Sequence, residues 1–307
     1  MSMQTLTTPS ATATTRLHLP PRWRAALLMV ASSAAFAGTL ASVRQLPELS
    51  PIQVAFFRYL FSILLLLPWL LREGSLLPPT KRIGRHILRA VSGLAGMMCL
   101  FFAARMMPLA DAATLGFTAP LFAVLGGALI LRERVSRYRW LCTGLGFLGA
   151  LVVLRPGAAS LAVPGLVALM GALFVAVATL TTKTLARTES TATIVFYFTA
   201  LVTPLSFAFA LPVWQMPQLA AWPWLILVAV LATASQILLT RALRDGDASF
   251  LLPFDYAQLV FAALFGFVIF AELPSMHIAV GAVIIFGAGL LSLMETRQPA
   301  LPIRQSA

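Results

Sequence analysis

Ten long apolar runs, separated by proline, glycine or charge, constrain this chain more than any motif it carries. They cover Ala25–Val43, Ile52–Leu71, Ile87–Met106, Ala110–Leu131, Trp140–Leu154, Pro164–Thr182, Thr191–Leu211, Trp222–Leu239, Ser249–Phe270 and His277–Leu293. A helix needs about 20 mostly apolar residues to cross a bilayer, and most of these runs approach that length. Turn-forming residues mark their ends: Leu46-Pro47, Pro78-Pro79, Pro108, Arg155-Pro156-Gly157, Pro212, Pro217 and Leu273-Pro274. Hydrophobic residues fill 60% of the 307 positions and charged ones 10%. Soluble domains have roughly 45–50% and about 25%, so this chain is expected in lipid. There the backbone must satisfy its own hydrogen bonds, which leaves helix bundles and closed barrels. No period-two alternation runs through the segments, which excludes a barrel. The expected fold is an all-α membrane protein of ten transmembrane helices.

The formal charge of +12 does not point to nucleic acid, because the 22 Lys and Arg residues sit between apolar runs and not on one face. Positive residues are retained on the cytoplasmic side of a membrane, so alternate loops can be compared. The amino-terminal tail holds Arg16, Arg22 and Arg24; the next loop of that set holds Arg72, Lys81, Arg82, Arg85 and Arg89; the next, Arg132, Arg134, Arg137 and Arg139. Lys183 with Arg187, Arg241 with Arg244 and Arg297 with Arg304 complete 18 of the 22. The opposite loops hold only Arg44, Arg105 and Arg155, and Arg58 lies inside a run. Both termini are therefore expected in the cytoplasm of a multi-pass, cytoplasmic (inner) membrane protein. The first run is about twice a signal-peptide core and lacks a small-residue cleavage site, so it is read as a span. Cys99 and Cys142 both lie in apolar runs without metal-type spacing, and no disulfide framework, metal site or cofactor is expected.

The chain also repeats itself. Glu133 and Glu272 each close an apolar run and lie 139 positions apart; the same offset carries Ser136 onto Ser275 and Arg44 onto Lys183. Around Ala104 with Ala242 and Ala110 with Ala248 the offset is 138, so one residue is gained within the ninth run relative to the fourth. Five spans per copy make the second copy upside down, and inverted repeats are a common plan of secondary transporters. The expected organisation is a cytoplasmic tail over 1–24, a first five-helix repeat over 25–154, its inverted copy over 164–293 and a tail over 294–307.

The segment Phe56-Phe57-Arg58-Tyr59-Leu60, the stretch from Ala110 through Pro120 and Gly126-Gly127 to Leu131-Arg132-Glu133-Arg134, and its echo Phe270-Ala271-Glu272 resemble the EamA-type modules of the drug/metabolite transporter superfamily. The resemblance runs from about Ala25 to Leu293; the second copy departs from it with Tyr197 in place of Arg58 and Gln258-Leu259 in place of Pro120. It implies a secondary carrier of a small organic metabolite, such as an amino acid or a derivative of one. Its cavity would be lined mainly by the first, third, fourth, sixth, eighth and ninth helices. Exporters of amino acids and of amino-acid-derived metallophores belong to this superfamily, as do importers of riboflavin or S-adenosylmethionine. Efflux is the direction expected here and uptake of a vitamin or nucleoside-like cofactor the alternative; a membrane enzyme acting on lipid-linked substrates is the alternative from another class. The expected partners are the substrate, the bilayer and protons as coupling ion, in a monomer or homodimer.

Ionisable groups inside spans cost around 2.5–3.5 kcal/mol on insertion scales, so each needs a reason. Asp255 lies about six residues into the ninth run beside Tyr256 and Gln258, just after Pro253, which can free a carbonyl. It can bind a substrate cation or exchange a proton; a buried ion pair or a helix-to-helix hydrogen bond is the plainer alternative. Arg58 can meet a substrate carboxylate or snorkel to the surface. Glu133 and Glu272 stand at helix ends, where a carboxylate complements the positive end of a following helix or pairs with Arg134 or Arg137; gating is the sharper alternative. Ser32, Ser33, Ser92, Thr114, Thr118, Thr233, Ser235, Gln236 and Thr240 are milder polar candidates, Gln236 the foremost, and such groups commonly bond a neighbouring helix. Phe117 and Phe254 can supply aromatic walls. Gly144-Leu145-Gly146-Phe147-Leu148-Gly149 matches a dinucleotide pattern, but in mid-run its glycines serve close helix approach.

Overall fold

The computed structural model describes residues 20–72, 78–106, 109–133, 135–154, 163–271 and 276–294. Glu272 and Ser275 of the paired motif, Arg134, and both tails apart from residues 20–24 and 294 lie outside them. Among the described residues every regular element is helical: α1 (Pro21–Val43), α2 (Pro51–Arg72), α3 (Ile83–Met106), α4 (Leu109–Gly116), α5 (Ala119–Leu129), α6 (Arg137–Leu154), α7 (Val163–Ala186), α8 (Thr191–Ala210), α9 (Trp222–Asp245), α10 (Ala248–Leu251), α11 (Ala257–Phe270) and α12 (Met276–Met294). A 3-10 turn, Leu252–Tyr256, joins α10 to α11. Among the described residues eight stretches are long and apolar enough to cross a membrane: the helices α1, α2, α3, α7 and α12, the α8 and α9 regions, and the composite Ala248–Phe270.

The other two expected spans depart from that simple form for identifiable reasons. The fourth run is split into α4 and α5 around Phe117-Thr118. Pro120 has no N–H for the carbonyl of Gly116, so the helical ladder cannot continue through this point. The fifth, α6, has 18 residues and begins with Arg137 and Arg139, which dilute its apolar content. In the ninth run Pro253 likewise removes the donor for the Ser249 carbonyl, and the chain passes through the 3-10 turn before resuming as α11. The residue gained by the second copy falls here, since Ala110 and Ala248 are 138 apart whereas Phe117 and Tyr256 are 139 apart.

The packing is exchanged when the two copies are exchanged. The contact of α1 with α9 has its counterpart in α7 with α3, and α2 with α9 in α8 with α3; α2 with α8 and α6 with α12 map onto themselves. Individual residues follow the same rule. Gly96 and Gly171 bring α3 and α7 together so closely that a Cβ on either would lie 3.1 Å from the other's carbonyl oxygen. Displaced by 139, these positions become Ser235 and Ser32 at the crossing of α9 and α1. There the Ser32 hydroxyl donates to the Ser235 carbonyl at 2.9 Å. Small residues let backbones approach where lipid supplies no hydrophobic drive for helix association. Among the described residues, the two non-glycine residues with left-handed backbone, Arg132 (φ 53°) and Ala271 (φ 54°), are also 139 apart. Each immediately precedes one of the paired glutamates; Ala271 is the left-handed cap of α11, and Arg132 makes the equivalent turn three residues beyond the end of α5.

Candidate functional site

The helix breaks of the two copies meet each other. Tyr256, fully buried, donates its hydroxyl to the carbonyl of Phe117 at 3.2 Å, and the two rings lie 6.1 Å apart. Gly146 makes room for this contact, because a Cβ there would stand 2.5 Å from Tyr256 Cδ2. Gly149, three residues on, faces Gly281 across the contact of α6 and α12. Two glycines of the dinucleotide-like pattern thus serve close packing, as expected, while a Cβ at Gly144 would meet nothing within 4 Å.

Around this junction the polar side chains divide into two kinds. Ser32, Ser33 and Thr118 are spent internally: Ser32 on Ser235, Ser33 on the Phe254 carbonyl at 3.4 Å, Thr118 on the Leu115 carbonyl at 2.6 Å. The side chain of Thr114 lies outside the described residues. Phe117 is half-buried against Tyr256. Asp255 and Gln258 are only partly buried, on the 3-10 turn and the first turn of α11, and among the described residues no donor or cation reaches the Asp255 carboxylate. Arg58 stays on α2 with its guanidinium 5.0 Å from the Tyr59 ring and makes no ion pair with Asp255.

Gln236 does not stand alone. Its side-chain oxygen accepts from Arg89 Nη2 at 2.9 Å, while Arg89 Nη1 donates to the Ile194 carbonyl at 2.6 Å. Arg89 is 2% exposed and lies 4.5 Å over the Phe198 ring. Arg89 is counted with the loop charges although it lies two residues inside the run expected from Ile87; the structure places it well within α3, which begins at Ile83. Its position within the apolar run was the available signal. Lys183 is a second such correction: it is 6% exposed in α7 and donates Nζ to the carbonyls of Leu243 and Gly246, capping the carboxyl end of α9. Arg139, also counted in a loop, is buried at 7% and donates Nη1 to Ser249 Oγ at 2.7 Å, with Asp247 Oδ2 at 3.4 Å.

Glu133 belongs to the same end of the bundle. Its carboxylate accepts from the backbone N–H groups of Ala248 (3.3 Å) and Ser249 (3.2 Å). The helix it caps is therefore α10, in the other copy, and not the α6 that follows it in sequence. With Arg139 on Ser249 and Arg24 on Asp245 at 3.4 Å, this cap ties the first copy to the start of the broken ninth segment. Replacing Glu133 by Ala should lower stability by about 1 kcal/mol, the typical value of a lost amino-terminal cap, and Glu133→Gln by less, as thermal unfolding of the purified variants would show. Two open grooves, one along Leu121, Trp140, Leu141 and Leu148 and one between α2 and α8 at Phe56, Phe196 and Phe207, are lined largely by apolar side chains on the outer surface.

A duplicated bundle of apolar helices, with a broken helix in each copy and the breaks in contact, defines a multi-pass membrane protein of transporter architecture. The chain belongs to the EamA-like transporter family, whose model matches residues 23–155 and again 164–294. A riboflavin transporter of Brucella anthropi is 32% identical over 248 residues, covering 79% of this chain and 87% of that protein. An S-adenosylmethionine uptake transporter of Rickettsia bellii is 29% identical over 82% of this chain and 86% of its own length. The pseudopaline exporter CntI of Pseudomonas aeruginosa is 30% identical over 89% of this chain and 96% of its own. A solved crystal structure shares the fold with a TM-score of 0.76 at 19% identity, over 87% of this chain and 96% of that one.

Proposed function

We propose that the chain is a secondary carrier that exports a small organic metabolite across the cytoplasmic membrane by alternating access. The observation that carries this reading is the contact between equivalent helix breaks at Phe117 and Tyr256. Transporters of inverted-repeat design bind substrate where discontinuous helices of the two copies meet near the bilayer midplane, and rock one copy against the other around that point. In this reading α4 and α5 form one broken span and α6 another, giving ten spans, five in residues 25–154 and five inverted in 164–293. Both termini lie in the cytoplasm, and the end of the bundle that holds Glu133, Arg139, Lys183 and Asp247 faces it. The caps and bonds there form the closed inner gate of the present state.

Asp255 and Gln258 are the groups at the junction left free for a ligand, and Asp255 exchanges a proton or binds a substrate cation during the cycle. Tyr256 holds the junction, and Ser32 holds α1 on α9; neither meets substrate directly. The relatives favour a metabolite of the size of an amino-acid derivative or a nucleoside-like cofactor. Uptake is the second reading, favoured by the S-adenosylmethionine uptake relative. Purified protein in liposomes, offered labelled amino acids, S-adenosylmethionine and riboflavin, should show saturable flux of at least one of them with counterflow. Flux no faster than protein-free liposomes for every compound would contradict the carrier reading, and inward counterflow without export would favour the second.

A further inference from the structure

Arg89 is a buried cation with no carboxylate partner among the described residues. Its guanidinium carries five N–H donors. The bonds it makes run to two neutral oxygens, the Ile194 carbonyl and Gln236 Oε1, and no carboxylate among the described residues pairs with it. A guanidinium this deep is normally matched by an opposite charge or aimed at a pathway. Three residues earlier on the same face of α3, His86 is fully buried, and among the described residues neither of its ring nitrogens has a partner. It stacks on Tyr197 of α8 with ring centroids 4.6 Å apart. One helix face thus presents a guanidinium with spare donors and an imidazole with both nitrogens unused, against α8 and Gln236 of α9.

We propose that Arg89 is the anion-recognition group of this carrier, taking a carboxylate or phosphate of the substrate in a fork of two N–H donors, with Gln236 and His86 as neutral flanking hydrogen-bonding groups. This rests on the carrier reading and deepens it by naming the charge the substrate carries. In the state described here Gln236 holds the place of the anion: an amide oxygen 2.9 Å from Nη2 satisfies the guanidinium without neutralising it. A charged oxygen forms a shorter and roughly twice as strong bond with the same donor, so an incoming anion displaces it. Because Gln236 belongs to the second copy and Arg89 to the first, the displacement also loosens one tie between the copies.

The test uses matched probes that differ in one anionic group: riboflavin 5′-phosphate with riboflavin, S-adenosylmethionine with its decarboxylated analogue, and phenylalanine with phenylalaninamide. Binding to the full-length purified protein is read by ligand-dependent thermal shift and equilibrium titration. The anionic member of at least one pair should bind 10-fold or more tightly than its partner, and the phosphate and carboxylate pairs distinguish the two sources. Arg89→Gln should abolish that preference. Gln236→Glu, which gives Arg89 a resident carboxylate and keeps the buried pair satisfied, should weaken the anionic member 10-fold or more and leave the neutral one unchanged. Equal binding within every pair, or a preference that survives in both variants, overturns the proposal. A complete absence of binding to all six probes also overturns it, while saturable liposome flux of some other metabolite would leave the carrier reading standing.

Discussion

Valine at Gly281 should cost about 3 kcal/mol or more and leave little folded protein, whereas valine at Gly287, on the same helix, should be close to neutral. A Cβ at Gly281 would collide with Val153 Cγ2 and stand 2.7 Å from the carbonyl oxygen of Gly149 and 3.2 Å from the Val153 nitrogen. Two of those three neighbours are backbone atoms of α6, which cannot rotate away, so relief requires the helices to separate. Separation would forfeit the packing along the whole α6–α12 contact, and lipid offers no compensating drive to re-form it. At Gly287 a Cβ would meet nothing within 4 Å among the described residues. Thermal unfolding and size-exclusion profiles of the two variants in the same detergent separate these outcomes; equal behaviour would mean that the close crossing is not what holds α12 in place.

The second large effect is functional. Asp255→Asn should reduce saturable flux at least about 10-fold while leaving stability unchanged or raising it by about 1 kcal/mol. The sign of the stability change carries the argument. A carboxylate that serves structure loses donors or a counter-charge when neutralised, and the fold weakens. Asp255 has no such partner among the described residues, so its replacement by a neutral residue of the same shape removes the cost of holding a charge in a mostly apolar bundle. Full flux with lowered stability would assign Asp255 to the scaffold. Parallel measurement of transport and unfolding on one preparation decides between the two.

Much of the architecture is legible in the chain because lipid leaves it few choices. Apolar length located most of the helices, and the offset of 139 located the duplication. What that offset carries structurally was hidden, because equivalent positions differ in chemistry. Ser32 matches Gly171 and Phe117 matches Tyr256, yet only the geometry shows that the first two hold equivalent helix crossings, α1 on α9 and α7 on α3, and that the second two touch. The glutamates were visible because they are charged; the left-handed residues before them, an arginine in one copy and an alanine in the other, were not. The partner of Glu133 lies 115 positions away in another helix, and no local pattern announces it. Arg89, Lys183 and Arg139 were misplaced for one reason: counting positive residues treats every charge near the edge of an apolar run as solvent-facing. A long side chain there can instead turn inward to a carbonyl or a hydroxyl. Pro253 was the most informative local signal, and Pro120 carried the same one unread, since a missing N–H has the same consequence in any surroundings.

Rocking of the two copies about the Phe117–Tyr256 junction is most directly tested by the distance between their cytoplasmic ends. Spin labels at Arg137 and Arg187, both exposed and one in each copy, would be introduced into a protein whose Cys99 and Cys142 are replaced by serine or alanine. Pulsed electron–electron resonance in lipid should give two distance populations, the longer one enriched by Glu133→Ala, which removes the cap that ties the copies together at that end. A single narrow distance, unmoved by that substitution and by every transported metabolite, would contradict alternating access by relative motion of the two copies.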